Sequence, residues 1–335
     1  MKNSDFKQYF KNIHTLLAEH DIVIGNLETP FVEDFTPFGA KSAHIYAEAE
    51  NVKILRYLNV NYVNLSNNHI YDFGNEGYEF TKKILIENNI EYFGIESKQC
   101  YVEEDGVKIA LHGYCSYNTN PLMITFDESK GVNGLDVDLL INNFKRNVDN
   151  GYFNIVSIHS GQEHINFPSQ DDITVARKLS SIAPYIYYGH HPHVVQGIEE
   201  YNESLIAYSL GNFCFSDVYT KKSKEPLIKM SDNNKTGIIL SLELNEKEIV
   251  KYEVIPIFMG TDEMKIGQDD VNIQLESFSN MLQLNADDYD KNRNLLISKY
   301  IQERKNLRNI EFYLNRLNIM SIKMMLNSKL NKNKY

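Results

Sequence analysis

Apolar positions along this chain switch between two periods. From Phe6 onward they fall at Phe6, Tyr9, Phe10, Ile13, Leu16 and Leu17, the three-and-four spacing that lines one face of a helix. The next block, Ile22-Val23-Ile24, is short, continuous and closed by Gly25, as a buried strand is. The alternation then repeats. Residues 47–58 and 77–88 read as helices, and residues 62–66 and 91–93 as strands. Strands are expected at 108–113, 154–158 and 185–188, with a helix over 171–182. Residues 205–210, 237–242 and 250–258 read as a β-rich meander. Strands alternating with helices predict an α/β architecture, and the antiparallel-looking segment after residue 200 predicts a mixed sheet or a further sheet.

Beyond residue 262 the character changes. Residues 271–285 and 288–329 carry apolar positions such as Leu295, Leu296, Tyr300 and Ile301 at helical spacing. The expectation is a main domain over 1–262 and a helical C-terminal extension over 263–335. That extension reads as a packed cap, a partner-binding arm or an oligomerisation element.

Length and composition narrow the classes. A chain of 335 residues is long enough for one large core or two smaller ones. The net charge of −11, from 34 Lys and Arg against 45 Asp and Glu, argues against a nucleic-acid or anionic-membrane binder. It leaves room for an anionic substrate, because bound metal ions attract phosphate locally. Three scattered cysteines, Cys100, Cys115 and Cys214, lack Cys-x-x-Cys spacing and point to neither a disulfide framework nor a thiolate zinc site. No stretch approaches the roughly 18 apolar residues of a membrane span, and the first residues lack the apolar core of a secretory signal. As written, the chain is expected to be cytoplasmic, and membrane-associated or extracytoplasmic only if its N-terminus is truncated.

Four expected strands end in bursts of polar residues. These are Asn26-Leu27-Glu28, then Ser66-Asn67-Asn68-His69, then His159-Ser160-Gly161, then His190-His191-Pro192-His193. Sites in open α/β sheets form at the carboxyl ends of strands. Together the bursts supply Glu28, Asn68, His69, His159, His191 and His193, nitrogen and oxygen donors suited to Zn, Mn, Fe or Ni. His190 reads as structural, and His14, His20, His44, His112 and His164 lack converging partners in the sequence.

The ordered motifs carry a resemblance. Asn26-Leu27-Glu28-Thr29-Pro30 is followed by Asn67-Asn68-His69-x-x-Asp72-x-Gly74, then His159-x-Gly161-x-Glu163. Gly189-His190-His191-Pro192-His193-Val194-x-Gln196 and Ala207-Tyr208-Ser209-Leu210-Gly211-Asn212-Phe213 complete the series. This order resembles the CapA family of capsule, or poly-γ-glutamate, biosynthesis proteins, which is similar in turn to the calcineurin-like metallophosphoesterases. The resemblance spans residue 21 to about residue 258. It implies a four-layer αββα sandwich with one or two divalent ions between the sheets.

By motif, Glu28 takes the place of the bridging acid. Asn68, His159 and His191 take the places of ligands to one metal, and His193 that of a ligand to the other. His69 would serve as general acid or transition-state stabiliser, with Asp72 orienting it. Family members carry an earlier strand ending in Gly-Asp, whose aspartate would bind the first metal. Here only a helix precedes Asp21, which implies a site one acidic ligand short and a sheet one strand short. A truncated start and a degenerate member both fit that departure. Ser160 stands where the family carries tryptophan, which is expected to alter pocket shape.

Two functions stay open on this reading. One is a metal-dependent hydrolase or transferase acting on a phosphate ester or a related anionic small-molecule or polymer substrate. The other is a non-catalytic biosynthesis or export subunit that keeps the fold with a degenerate metal site; other capsule-synthesis proteins are expected partners on either reading.

Overall fold

The computed structural model describes residues 6–307 apart from 40, 42, 127–128, 220–225, 227, 247 and 268. Helices α1 (Phe6–Tyr9) and α2 (Lys11–Leu17) precede β1 (Ile24–Asn26). The short strands β2 (Phe31–Val32) and β3 (Ala47–Glu48) lead to α3 (Val52–Tyr57), β4 (Tyr62–Asn64), α4 (Gly74–Glu87) and β5 (Glu91–Phe93). Next come β6 (Cys100–Glu104), β7 (Val107–Cys115), β8 (Ile124–Thr125), β9 (Val132–Asn133) and α5 (Val137–Asp149). They are followed by β10 (Phe153–His159), α6 (Gln170–Ser180), β11 (Tyr185–His190), β12 (Ile198–Tyr201) and β13 (Ser204–Ala207). The last described elements are α7 (Asp232–Lys235), β14 (Thr236–Leu244), β15 (Ile249–Met259), β16 (Met264–Ile266), α8 (Asp269–Met281) and α9 (Ala286–Leu307).

β1, β4 and β5 form a parallel three-stranded sheet in the order β1-β4-β5. A six-stranded sheet runs β12-β13-β11-β10-β7-β6. Its four middle strands are parallel and its two outer strands antiparallel. The antiparallel set β14-β15-β16 is separate. The mixed character expected after residue 200 is present in both places.

Side-chain alternation sets the layers, because neighbours along a strand point to opposite faces. Phe153 and Ile155 of β10 pack with Leu111, Ile186 and Tyr188 against Phe93, Ile24 and Tyr62 of the three-stranded sheet. Val156 and Ile158 of β10, with Tyr185 and Tyr187, pack instead on Leu140 and Phe144 of α5 and on Ile173 and Ala176 of α6. Tyr78 and Leu85 of α4 cover the other sheet through Val63, Leu65 and Tyr92. The order helix, sheet, sheet, helix is the four-layer αββα sandwich that the motif resemblance implied.

Local departures have local causes. The first expected helix is broken at Phe10 (φ −98°, ψ 10°), whose ring is fully buried and stacks on Phe213. Residues 47–48 pair with β2 before helical backbone begins. α5 and the β6–β7 hairpin were not expected, although both leave signals. Asp136 accepts a hydrogen bond from Leu139 N at 2.9 Å, capping an apolar series at Val137, Leu140, Ile141 and Phe144. Asp105-Gly106 turns the hairpin with φ values of 48° and 83°, as an Asp-Gly pair does.

The C-terminal helices dock on the main layers. Ile198 N donates to Ser279 Oγ at 2.9 Å, and Tyr289 Oη donates to Pro168 O at 2.9 Å. Leu282 and Tyr289 are buried among the side chains of α5 and α6. The expected helix beyond residue 307 lies outside the described residues. Among the described residues no helix is long and apolar enough to cross a membrane.

Candidate metal centre

Parallel pairing places the four polar bursts at one end of the sandwich. β1 and β4 run together, as do β10 and β11, so each pair delivers its following residues to the same side. The five candidate ligands meet there. Glu28 Oε1 lies 3.9 Å from His159 Nε2 and 3.6 Å from His193 Nε2. The donor atoms of Glu28, His159 and His191 all lie within 4.8 Å of one another. Asn68 Oδ1 is 2.9 Å from His159 Nε2.

The backbone after β11 is bent to achieve this. His191 and His193 have φ values of 102° and 58°, in a region that L residues rarely occupy and that costs of order 1–3 kcal/mol per residue. His193 is held from both ends. Asn234 Nδ2 donates to its carbonyl at 3.0 Å, and its Nδ1 lies 2.9 Å from Asn212 Oδ1. Asn212 Nδ2 is committed to Asn234 O at 2.9 Å, which fixes Oδ1 as an acceptor. Nδ1 of His193 is therefore the nitrogen that donates, and Nε2, on the side of Glu28, is the one that a neutral ring would offer to a cation.

Burial controls the charge of the deeper histidines. Desolvation, then the neighbouring imidazoles, hold His159 and His191 well below the usual histidine range. Burial and His193 push His190 down to about 3. Neutral imidazole is the form that coordinates metals. Glu28 Oε1 and His191 Nδ1 are buried and make no hydrogen bond. A buried polar atom left so costs about 1–3 kcal/mol, and a divalent cation among these donors would satisfy both. With nitrogen and oxygen donors and no thiolate, the set fits Zn, Mn, Fe or Ni.

His69 stands in a different setting. Its Nδ1 lies 2.6 Å from Asp72 Oδ2, which also accepts from Ile45 N at 2.9 Å. Lys41 Nζ sits 2.5 Å from Asp72 Oδ1 and donates to Asn68 O. Burial opposes the charge on Asp72, but His69 and Lys41 overcome it and hold the carboxyl below its ordinary range. Lys41 was missed by sequence reasoning. It is the one lysine or arginine between Lys11 and Lys53, and a solitary lysine in a loop has no spacing to mark it.

Ser160 donates to Asp172 Oδ1 at 2.6 Å, and Asp172 closes the capping box of α6, so this position ties the site loop to a helix. His164 stands at the edge of the site, its ring centroid 6.3 Å from that of His193. His14, His20 and His44 bond main-chain carbonyls elsewhere.

A buried cluster of imidazoles, an amide and a carboxylate at strand ends between two sheets defines the class of site. The family model described as bacterial capsule synthesis protein PGA_cap matches residues 1–217, and the chain belongs to that family. It is 30% identical over 254 residues to the capsule biosynthesis protein CapA of Bacillus anthracis, covering 71% of this chain and 61% of that protein. It is 29% identical over 257 residues to the PGA biosynthesis protein CapA of Bacillus subtilis, covering 74% and 64%. The chain thus spans less than two thirds of the length of these curated relatives. Among solved structures it is similar to a putative 5′-nucleotidase of Staphylococcus aureus, with 13% identity, a TM-score of 0.45, and 79% and 52% of the two chains covered. It is also similar to the sulfate thiohydrolase SoxB of Thermus thermophilus, with 12% identity, a TM-score of 0.41, and 68% and 38% covered.

Proposed function

We propose that this chain is a metal-dependent hydrolase or transferase of a phosphate ester or related anionic precursor in capsule or poly-γ-glutamate production. The observation that carries the reading is Glu28 Oε1 standing between His159 Nε2 and His193 Nε2, at 3.9 and 3.6 Å. Glu28, Asn68, His159, His191 and His193 would hold one or two divalent ions. A divalent ion there supplies Lewis-acid polarisation of a phosphoryl oxygen.

The protein's own groups do the rest. With Nδ1–H donated to Asp72, His69 keeps Nε2 for a substrate; in its doubly protonated form it would give the Nε2 proton to a departing oxygen and return to the neutral Nδ1–H tautomer. Asp72 fixes that tautomer, and Lys41 keeps Asp72 ionised. Other capsule-synthesis proteins are the partners this role calls for.

Metal analysis of purified protein, with and without added Mn²⁺, tests the first half. Bound metal lost in His191→Ala supports the ligand set, and metal retained there overturns it. Turnover of an aryl phosphate, abolished in His69→Ala with metal retained, supports the hydrolytic half. A metal-loaded protein with His69 intact and no turnover of phosphate esters would instead be a binding subunit.

A further inference from the structure

His190 belongs to none of the ligand positions, yet it is in contact with one. It is the register partner of His159 across β10 and β11, so the two rings lie on the same face, 4.8 Å apart at their centroids. Their Nδ1 atoms are 2.6 Å apart, so one ring donates a hydrogen bond to the other. His190 Nε2 faces two groups, Ser157 Oγ at 2.8 Å and Asn64 Nδ2 at 3.2 Å. All four side chains are buried, so water does not compete for these protons.

Two proton arrangements fit this row. In one, His159 carries its proton on Nδ1 and donates to His190, while His190 carries its own on Nε2 and donates to Ser157 Oγ. His159 Nε2 then has a free lone pair beside Asn68 Oδ1 and Glu28. In the other, Asn64 Nδ2 donates to His190 Nε2, His190 Nδ1 donates to His159, and His159 Nε2 carries a proton. That nitrogen then donates to Asn68 Oδ1 and offers nothing to a cation. Each ring is neutral with one proton in both arrangements; only the nitrogen that bears it differs.

Asn64 is not free to turn its oxygen toward His190. Ser66 N donates to Asn64 Oδ1 at 2.9 Å. A Cβ on Gly113 or Gly94 would lie 2.1 or 2.2 Å from that oxygen, so both glycines make room for it. Of the two groups that face His190 Nε2, Ser157 is therefore the one that can accept from it.

We propose that His190 and Ser157 are positioning residues that set the tautomer of His159 and so decide whether its Nε2 can take a metal. Asn64 opposes them. The inference rests on the metal-centre reading above, and its test separates the two. Zn²⁺ affinity is measured by competition with a chromophoric chelator for wild type, Ser157→Ala and His190→Phe. Thermal unfolding in excess chelator is recorded beside it. In zinc-loaded wild type, ¹⁵N NMR of the histidine rings should show His159 protonated at Nδ1 and His190 at Nε2.

Ser157→Ala should bind Zn²⁺ about 10–100-fold more weakly, the usual effect of losing a group that orients a ligand, and His190→Phe at least as much. A purely structural role for Ser157 would lower chelated stability and leave affinity alone. Wild-type affinity in Ser157→Ala, or His190 protonated at Nδ1 in the loaded protein, overturns the inference while the metal centre stands. Absence of both Zn²⁺ and Mn²⁺ binding by wild type overturns both. Ser157→Ala removes one hydroxyl, so the test holds even if His190→Phe fails to fold.

Discussion

The two sheets give the site histidines of opposite character. His159 and His191, from the six-stranded sheet, are buried with no carboxylate in hydrogen-bonding contact, and desolvation holds them neutral. His69, from the loop after the three-stranded sheet, leans on Asp72, a buried carboxylate kept charged by Lys41. One residue type serves two purposes because the surroundings differ. Neutral imidazoles offer lone pairs to a cation, whereas an imidazole fixed by an anion is oriented to handle a proton. The contrast predicts that damage on one side should appear as lost stability and damage on the other as lost metal.

The largest expected effect is on the ionic side. Asp72→Ala strips the partner from Lys41, whose side chain is 6% exposed. Removing one member of a buried pair costs about 3–5 kcal/mol, so urea unfolding of chelated protein should show a drop of that order. Chelated His191→Ala should unfold close to wild type while its metal affinity falls more than the roughly 100-fold typical of losing a mere supporting group. If both variants lose stability and metal together, the two sides are one network and the contrast fails.

The sequence showed the candidate ligands better than the ionic side, and for a physical reason. A parallel strand buried on both faces must end where polar residues begin, so Glu28, Asn68, His159, His191 and His193 announce themselves by following apolar runs. Their convergence was legible because parallel strands release their residues at one end. Lys41 sits in a loop whose path depends on Asp72 accepting from Ile45 N, a contact 27 residues away that no local period encodes. His190 was read as structural because its neighbours His191 and His193 absorbed the chemistry. Its pairing with His159 depends on strand register, which the hydrophobic pattern leaves open by whole pairs of residues. α5 was legible but unread, since Asp136 and its apolar series were in view. The layer order followed from the motif resemblance more than from any single element.

A buried histidine away from the site sharpens the comparison further. His112 lies in β7, fully buried, and desolvation pushes it down to about 3. Its folded pKa is below the ordinary value near 6.5, so the unfolded chain binds the extra proton between those limits. Stability from this residue is complete above about pH 6.5 and is lost as pH falls toward 3, at up to about 1.4 kcal/mol per pH unit. Chelated His112→Leu should therefore show a shallower acid limb by about one proton, measured by urea unfolding between pH 4 and 7. An unchanged slope would mean that His112 is not held neutral by burial.

The smallest expected effect falls on His193, which lies between the two regimes. Its side chain is 11% exposed, and its tautomer is set by Asn212 rather than by a carboxylate or another ring. Asn212→Ala removes the acceptor at Nδ1, but the truncation opens room beside a partly exposed ring, and water entering there is expected to accept in its place. Metal affinity should fall by roughly tenfold, the low end for loss of an orienting partner and about 1.4 kcal/mol. The drop should be smaller than that of Ser157→Ala, where no water can substitute. A loss at Asn212 exceeding that at Ser157 would show that burial of the orienting group is not what governs the cost.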